Sequence, residues 1–190
     1  MSVHQAIIAS NSNIGLATDP GGGQGSIPNQ TPGLWRKKFA GVAGDNPQWY
    51  GNNVGLITSG YPATSLLGLD GADGSGTFSL QFLGYFCPTA SGTYRFRTTS
   101  DDGSWLWIGT PATDSTNQNA NVDNGGAHGQ SAAIGKQVKL TAGVFYPIRI
   151  DMWDSSGNWF LTTEFSSDSG LTWFNDFSGQ VFFNSSTNGF

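Results

Sequence analysis

The sequence predicts an all-β protein, an antiparallel β-sandwich preceded by an extended N-terminal arm. Only 11% of the 190 residues are charged, whereas 13% are aromatic and 28 are glycine, which suits short strands joined by turns. Glu164 is the only Glu, and the other twelve of the thirteen acidic residues are Asp, which favours turns where Glu favours helices. No stretch of ten or more residues keeps a helical period without Gly or Pro. These features argue against an ordinary helical enzyme, a coiled coil and a charged disordered tail.

The arm is predicted to span residues 1–33. Clusters of Gly and Pro at 19–23, 27–29 and 31–33 interrupt regular structure there. Two interpretations stay open: the arm lies extended on its own domain, or it docks on another subunit. The sandwich domain is predicted to span residues 34–190.

Strands are predicted where apolar residues alternate with polar ones or form short runs. The segments are 78–83, 94–98, 105–108, 138–140, 145–152 and 159–165. In the second of them Tyr94, Phe96 and Thr98 are expected to face one way, with Arg95 and Arg97 facing the other. Residues 105–108 are apolar on both faces, which predicts a central strand covered on both sides. Residues 117–129 are polar and rich in Gly and are predicted to form a loop.

Charge and cysteine content exclude several classes of protein. A net charge of −5 disfavours nucleic acid as a partner, and the short basic run Arg36–Lys38 is expected to be a solvated edge or loop. With Cys87 alone no intrachain disulfide can form, and this residue is expected to be a buried small apolar group. No apolar run is long enough to cross a membrane.

The first eighteen residues, Met1–Thr18, lack the basic and apolar regions of a signal peptide. Two origins therefore remain open. The chain is either a piece cut from a longer exported protein, or a protein exported without a signal. Virus and phage structural proteins belong to the second group, because cell lysis releases them.

The first candidate site is the segment Thr98–Trp105, which carries Asp101 and Asp102 between two predicted strands. Neighbouring side chains diverge across a trans peptide, so a cis peptide would be needed to bring both carboxylates together. Two clustered carboxylates repel each other unless a cation lies between them, and calcium suits oxygen ligands in flexible geometry. Taken alone, the segment also fits a plain hairpin turn, for which Asp-Gly is favoured.

The second candidate site follows the predicted strand that ends near Ile150. Asp154, Ser156 and Asn158 alternate there and could offer oxygens to one ion, with Gly157 allowing a tight turn. A polar turn without a ligand is the alternative. His128, in a polar loop, is expected to be solvated or hydrogen-bonded, and zinc spacing is lacking. Adjacent Asp residues cannot straddle a glycosidic bond, so no enzyme is expected.

Seven short segments, taken together and in order, resemble the anthrax protective-antigen-type domain and its GLEYA branch, which includes yeast flocculins and bacterial adhesins. The segments are Phe82–Phe86, Gly92–Phe96, Ser100–Ser104, Trp107–Gly109, Asp123–Gly126, Leu140–Gly143 and Tyr146–Ile150. The resemblance spans roughly Gly33 to Phe183. It implies an antiparallel β-sandwich whose lectin members bind sugar through calcium.

The resemblance also implies roles for particular residues. The family's cis-linked Asp pair corresponds to Asp101 and Asp102, and its second loop corresponds to the Asp154 side chain with the backbone carbonyls near Ser156 and Asn158. This loop differs from the flocculin pattern. Trp159 is expected to pack on the apolar face of a sugar.

The predicted function is calcium-dependent binding of a surface glycan, without enzymatic activity, in attachment at a virion surface or as part of an extracellular bacterial adhesin. Residues 1–33 would dock on other virion or adhesin subunits. The alternative is a structural virion protein, such as a capsid decoration, collar or fibre subunit, that keeps the fold without binding sugar. The start at Met1, the missing signal peptide and the composition of the arm favour a virion setting.

Overall fold

The computed structural model describes residues 17–63 and 76–190. They form two antiparallel sheets packed face to face, so the predicted all-β sandwich is confirmed. Two single-turn helices, α1 (Trp49–Asn52) and α2 (Thr110–Thr113), and a 3-10 turn at Val54–Leu56 lie between strands. No helix within these two ranges is both long and apolar enough to span a membrane.

Twelve strands lie within the described ranges. In chain order they are β1 (Gln30–Pro32), β2 (Leu34–Ala40), β3 (Ile57–Ala63), β4 (Phe78–Phe86), β5 (Gly92–Asp101), β6 (Ser104–Ile108), β7 (Val122–Asn124), β8 (Ser131–Ile134), β9 (Val138–Leu140), β10 (Tyr146–Asp154), β11 (Phe160–Ser166) and β12 (Val181–Asn184). The large sheet has the order β1-β12-β4-β10-β6-β7, with β2 between β3 and β4. The small sheet has the order β11-β5-β8, with β9 also paired to β5.

The main core fills the space between the two sheets. Alternation along β5 places Tyr94, Phe96 and Thr98 inside and leaves Arg95 and Arg97 half-exposed, as predicted. Facing residues of the large sheet, including Ile148 and Ile150 of β10, are fully buried. Burying aromatic and branched side chains from both sheets supplies the main driving force for this fold.

A second apolar cluster, called here the outer core, covers the outer face of the large sheet. Its buried members are Phe39, Ala43, Tyr50, Trp105, Trp107, Ala112, Ala120 and Trp153. Residues 41–56 and 109–120 supply the layer over the sheet. This cover explains why β6 is buried on both faces between β10 and β7, as the sequence predicts.

Several sequence predictions need correction. The basic run Arg36–Lys38 is not a solvated edge or loop, because it lies in the middle of β2 and Arg36 is fully buried. The predicted loop 117–129 contains the short strand β7. Cys87 is only half-buried, just after β4, and burial raises the pKa of its thiol.

The described part of the predicted arm lies on the sandwich. Thr18 bridges to Val138, and Gln24 exchanges two backbone hydrogen bonds with Phe145. Gln30–Pro32, predicted to be irregular, pairs with β12 as a short edge strand, where Pro is tolerated. Residues 1–16 lie outside the described residues, and docking by the arm stays a prediction.

Candidate metal centre

Three acidic side chains meet at one end of the sandwich. Asp101 is the last residue of β5, Asp102 follows it, and Asp154 is the last residue of β10. Because β10 pairs antiparallel with β6, in the register Met152 to Ser104, its end lies beside the short connection from β5 to β6. One carboxylate oxygen from each of the three residues lies within 4.8 Å of the others.

Asp102 is fixed by hydrogen bonds from the two loops beside it. Its Oδ1 accepts from the backbone N–H of His128 (2.9 Å), and its Oδ2 accepts from the N–H (3.0 Å) and the hydroxyl (2.7 Å) of Ser155. The peptide bond between Asp101 and Asp102 is cis, as expected from the sequence. Asp102 is buried and Asp101 is half-buried, so the pair lies at the boundary between protein and solvent.

Asp154 is a buried carboxylate that no hydrogen bond from the described residues stabilises. Its side chain is 0% exposed, and among the described residues neither oxygen has a hydrogen-bond partner. Burial, with the charges of Asp102 and Asp101, raises the pKa of Asp154 to about 6, and the backbone N–H of Ser156 lowers it slightly without making a hydrogen bond of normal geometry. An unpaired buried carboxylate is costly. A cation bound here would remove that cost.

The donors suit a hard divalent cation. Carboxylates offer only oxygen, which favours calcium or magnesium over zinc or copper. Ser156 and Asn158 lie on the exposed loop directly after Asp154, which turns at Gly157 with φ of 94°. Their backbone carbonyls stay predicted ligands, since this loop follows Asp154 directly and its Ser155 N–H donates to Asp102.

Trp159 lies away from solvent. It is 2% exposed, belongs to the main core, and packs edge-on against Phe78 with ring centroids 5.3 Å apart. Neither face of its indole is therefore free for a ligand. The structure gives Trp159 a packing role beneath the site and does not support sugar stacking.

The predicted interpretation of His128 as a hydrogen-bonded loop residue agrees with the structure. Its ring nitrogens lie 2.9 Å from the carbonyl oxygen of Gly129 and 3.2 Å from that of Asn124. The contribution of His128 to the site is its backbone N–H, which the sequence gives no means of recognising. The same holds for the N–H of Ser155.

A further residue, Asp45, supports the site from a third loop. Its Oδ1 accepts a hydrogen bond from the N–H of Gly126 (3.0 Å), two residues before His128. The Asp45 carbonyl accepts from the side chain of Asn117 (2.8 Å). Asp45 thus ties the 41–48 segment to the loop that orients Asp102.

Replacing Asp45 with alanine is expected to weaken metal binding about tenfold without loss of the fold, because outer hydrogen-bond partners typically change metal affinity by this order. Calcium titration by calorimetry would measure the change. Asp45→Asn is the matched control, since its carboxamide oxygen can still accept from Gly126. Equal affinities for the wild type and Asp45→Ala would exclude the supporting role.

Comparison with known proteins agrees with this architecture. Residues 78–167 match the family model of the GLEYA domain, a segment that runs from β4 to β11 and contains all three acidic residues. A comparison with curated proteins found no match.

Solved structures share the fold at low sequence identity. The A domain of epithelial adhesin 6 from Candida glabrata, in complex with Galβ1-3GlcNAc, aligns with a TM-score of 0.69 and 16% identity over 87% of this chain and 92% of that one. The PA14 domain of the MpAFP antifreeze protein gives 0.65 and 17% over 83% and 94%. The PA14 sugar-binding domain from an RTX adhesin gives 0.60 and 16% over 79% and 98%.

The fold is a β-sandwich similar to that of the solved PA14 and adhesin domains. Within this class the chain resembles the GLEYA branch, whose model matches residues 78–167. The resemblance predicted from the sequence is therefore confirmed.

Proposed function

We propose that this protein binds surface glycans through a calcium ion held by Asp101, Asp102 and Asp154. The observation that carries the proposal is the Asp154 carboxylate, which is buried, has no hydrogen-bond partner in the described part of the chain, and lies beside two further carboxylates. Calcium is favoured because it takes 6–8 oxygen ligands in variable geometry. Three carboxylates with nearby loop carbonyls leave positions for ligand hydroxyls.

Each acidic residue has a distinct part in this proposal. Asp154 supplies a negative charge on a buried side chain. Asp102 is oriented from both sides by His128 and Ser155 and would present the remaining electron pairs of its carboxylate. Asp101, half-exposed at the end of β5, can accept hydrogen bonds from a ligand. Charge-assisted hydrogen bonds of this kind are roughly twice as strong as neutral ones.

The bound calcium would supply a fixed positive charge that vicinal hydroxyls of a sugar can coordinate. The comparisons support this ligand class, because the similar adhesin domains were solved with Galβ1-3GlcNAc and Galβ1-4GlcNAc. We infer that a single site binds weakly and that display in many copies on a virion or cell surface raises the avidity by about 10²–10⁴-fold.

The proposal is tested by calorimetry of the purified chain. Calcium chloride is titrated first, and Galβ1-3GlcNAc is then titrated into the calcium-loaded and the EDTA-treated protein. We expect calcium uptake at one site and heat from the disaccharide only when calcium is present. Absence of calcium uptake by the folded chain would end the proposal. Uptake without any sugar heat in a glycan panel would favour a structural role.

Calcium affinity is expected to fall with acidification, because Asp154 must be ionised to bind the ion. With its pKa raised to about 6 in the metal-free protein, Asp154 is mostly protonated at pH 5, and the apparent affinity should drop about tenfold between pH 7 and pH 5. Calcium titrations at pH 5, 6 and 7 measure the drop. In Asp45→Asn the calcium affinity should fall with pH to the same extent. A calcium affinity that does not change between pH 5 and pH 7 would contradict the role of Asp154 as a ligand.

A further inference from the structure

Three polar side chains that do not belong to the candidate metal centre form a row across the outer face of the large sheet. Lys37 of β2 is opposite Gln81 of β4, and Gln81 is opposite Asp151 of β10. Side chains of directly opposite residues share a face and have Cβ atoms about 4.5–5.5 Å apart. The Lys37 amine, the Gln81 carboxamide and the Asp151 carboxylate therefore lie side by side, in that order, on the outer face of the sheet.

The row is largely shielded from water. Asp151 is 0% exposed, Gln81 is 6% exposed and Lys37 is half-buried. Gln81 Nε2 donates a hydrogen bond to Asp151 Oδ1 (3.3 Å). The carboxylate thus contacts the nitrogen that would have to leave if the carboxamide of Gln81 were attacked.

Arg149 holds the carboxylate in place. Its Nε donates to both oxygens of Asp151 (2.9 Å each), and its guanidinium lies over the rings of Tyr50 and Trp107 at 5.5 and 5.2 Å. The same positive charge acts on Lys37: burial and Arg149 lower the pKa of the Lys37 amine, while Asp151 raises it. Partial burial and a neighbouring cation both favour the deprotonated, nucleophilic form of a lysine amine.

We propose that Lys37 and Gln81 are joined by an intramolecular isopeptide bond that forms after folding. In its deprotonated form, Nζ of Lys37 attacks Cδ of Gln81, forming the new C–N bond. Asp151 takes one proton from the attacking nitrogen and delivers it to Nε2 of Gln81. The Cδ–Nε2 bond then breaks and ammonia leaves. The products are one secondary amide and one ammonia, and no oxidant or other reactant is consumed.

Each residue in the row has one role. Lys37 is the nucleophile, Gln81 the acyl donor, and Asp151 the proton carrier, a task for which direct contact with the leaving nitrogen is required. Arg149 is a positioning residue. Tyr50 and Trp107 pack against Arg149 at the Asp151 end of the row. The product would fasten β2 to β4 and close the chain between residues 37 and 81.

Intact mass spectrometry of the folded wild-type chain, denatured in acid just before injection, tests the proposal. We expect a mass about 17 Da below that of the sequence, the mass of one ammonia released by the acyl transfer. After tryptic digestion the segments around Lys37 and Gln81 should appear as one branched peptide. A full-length mass equal to the sequence mass, with both segments recovered separately, overturns the proposal whether or not the chain binds calcium.

Variants remove the ambiguity of a mass loss alone, since an Asn-Gly pair such as Asn124-Gly125 can also lose ammonia. Lys37→Arg keeps the charge but cannot form the bond, so its mass should equal the sequence mass. Lys38→Arg, one residue along the same strand, is the matched control and should keep the mass loss. Gln81→Met should behave as Lys37→Arg does. A mass loss that persists in Lys37→Arg assigns it to another site and refutes the cross-link.

Discussion

Asp102→Ala is expected to eliminate calcium binding and, with it, all calcium-dependent glycan binding. The substitution removes one of three carboxylates and also the acceptor that His128 and Ser155 share. Losing a charged ligand together with the order of two loops should reduce calcium affinity by at least about 100-fold. Calorimetric titration with calcium, followed by Galβ1-3GlcNAc, measures both losses.

Asp114→Ala is the matched control for this variant. It removes the same charge from an exposed position after α2, where the backbone carbonyl of Asp114, unaffected by the substitution, accepts from Asn119. Its affinities for calcium and sugar should equal those of the wild type. If Asp102→Ala kept its far-ultraviolet circular dichroism and still bound calcium normally, the metal centre would have to lie elsewhere.

Asp154→Asn is expected to lose calcium binding and yet unfold at a higher temperature than the wild type when metal is absent. The wild-type carboxylate is buried, repelled by Asp101 and Asp102, and without a hydrogen-bond partner among the described residues. A neutral amide of the same shape removes the repulsion and most of the desolvation cost. After allowance for solvent screening near the surface, the gain is about 1–2 kcal/mol above pH 6, which corresponds to about 2–8 °C.

The gain should depend on pH with a definite sign. The folded pKa of Asp154, about 6, lies above the ordinary value of 3.8, so the metal-free folded state binds more protons than the unfolded state between these values. Wild-type stability from this group therefore falls as pH rises from about 4 to about 6. Thermal unfolding in EDTA should show the advantage of Asp154→Asn at pH 7.5 and its disappearance near pH 4.

Calcium should make the wild type more stable than Asp154→Asn, the reverse of the order expected in EDTA. At a calcium concentration 100 times the dissociation constant, the wild type gains about 2.7 kcal/mol and Asp154→Asn gains nothing. An Asp154→Asn protein that is less stable than the wild type in EDTA at pH 7.5 would show that the carboxylate has a favourable partner of its own. That result would remove the main argument for an ion.

The strands of the main core could be predicted because their side chains alternate or form unbroken apolar runs, as in β5 and β6. The strand β2 could not, because its centre is Arg36-Lys37-Lys38, which is typical of a solvated surface. Arg36 is fully buried on the face that it shares with Phe82 of the main core, and Lys37 is opposite Gln81 on the outer face, so both have partners far along the chain. Local sequence contains no record of such distant partners.

The three acidic residues that the structure brings together were accessible from the sequence through the Asp101-Asp102 pair and the family resemblance. The groups that orient them were not. His128, Ser155 and Gly126 act through backbone N–H groups, which every residue except proline has. For Trp159 the sequence suggested a role that the structure does not support. An indole beside a polar loop fits a binding platform and a core position equally well, and only its packing against Phe78 distinguishes the two.

The position of Asp154 at the end of β10 bears on how attachment withstands force. Strand β10 is hydrogen-bonded to β4 along its nine residues and to β6 along five of them. In the proposed function, a force applied through a bound glycan would pull on β10 along its axis. The hydrogen bonds to β4 and to β6 would then have to break together and not one at a time. The contact between the site and the sugar would then break before the domain unfolds. The lifetime of attachment under flow would depend on the affinity for the sugar and not on the stability of the domain.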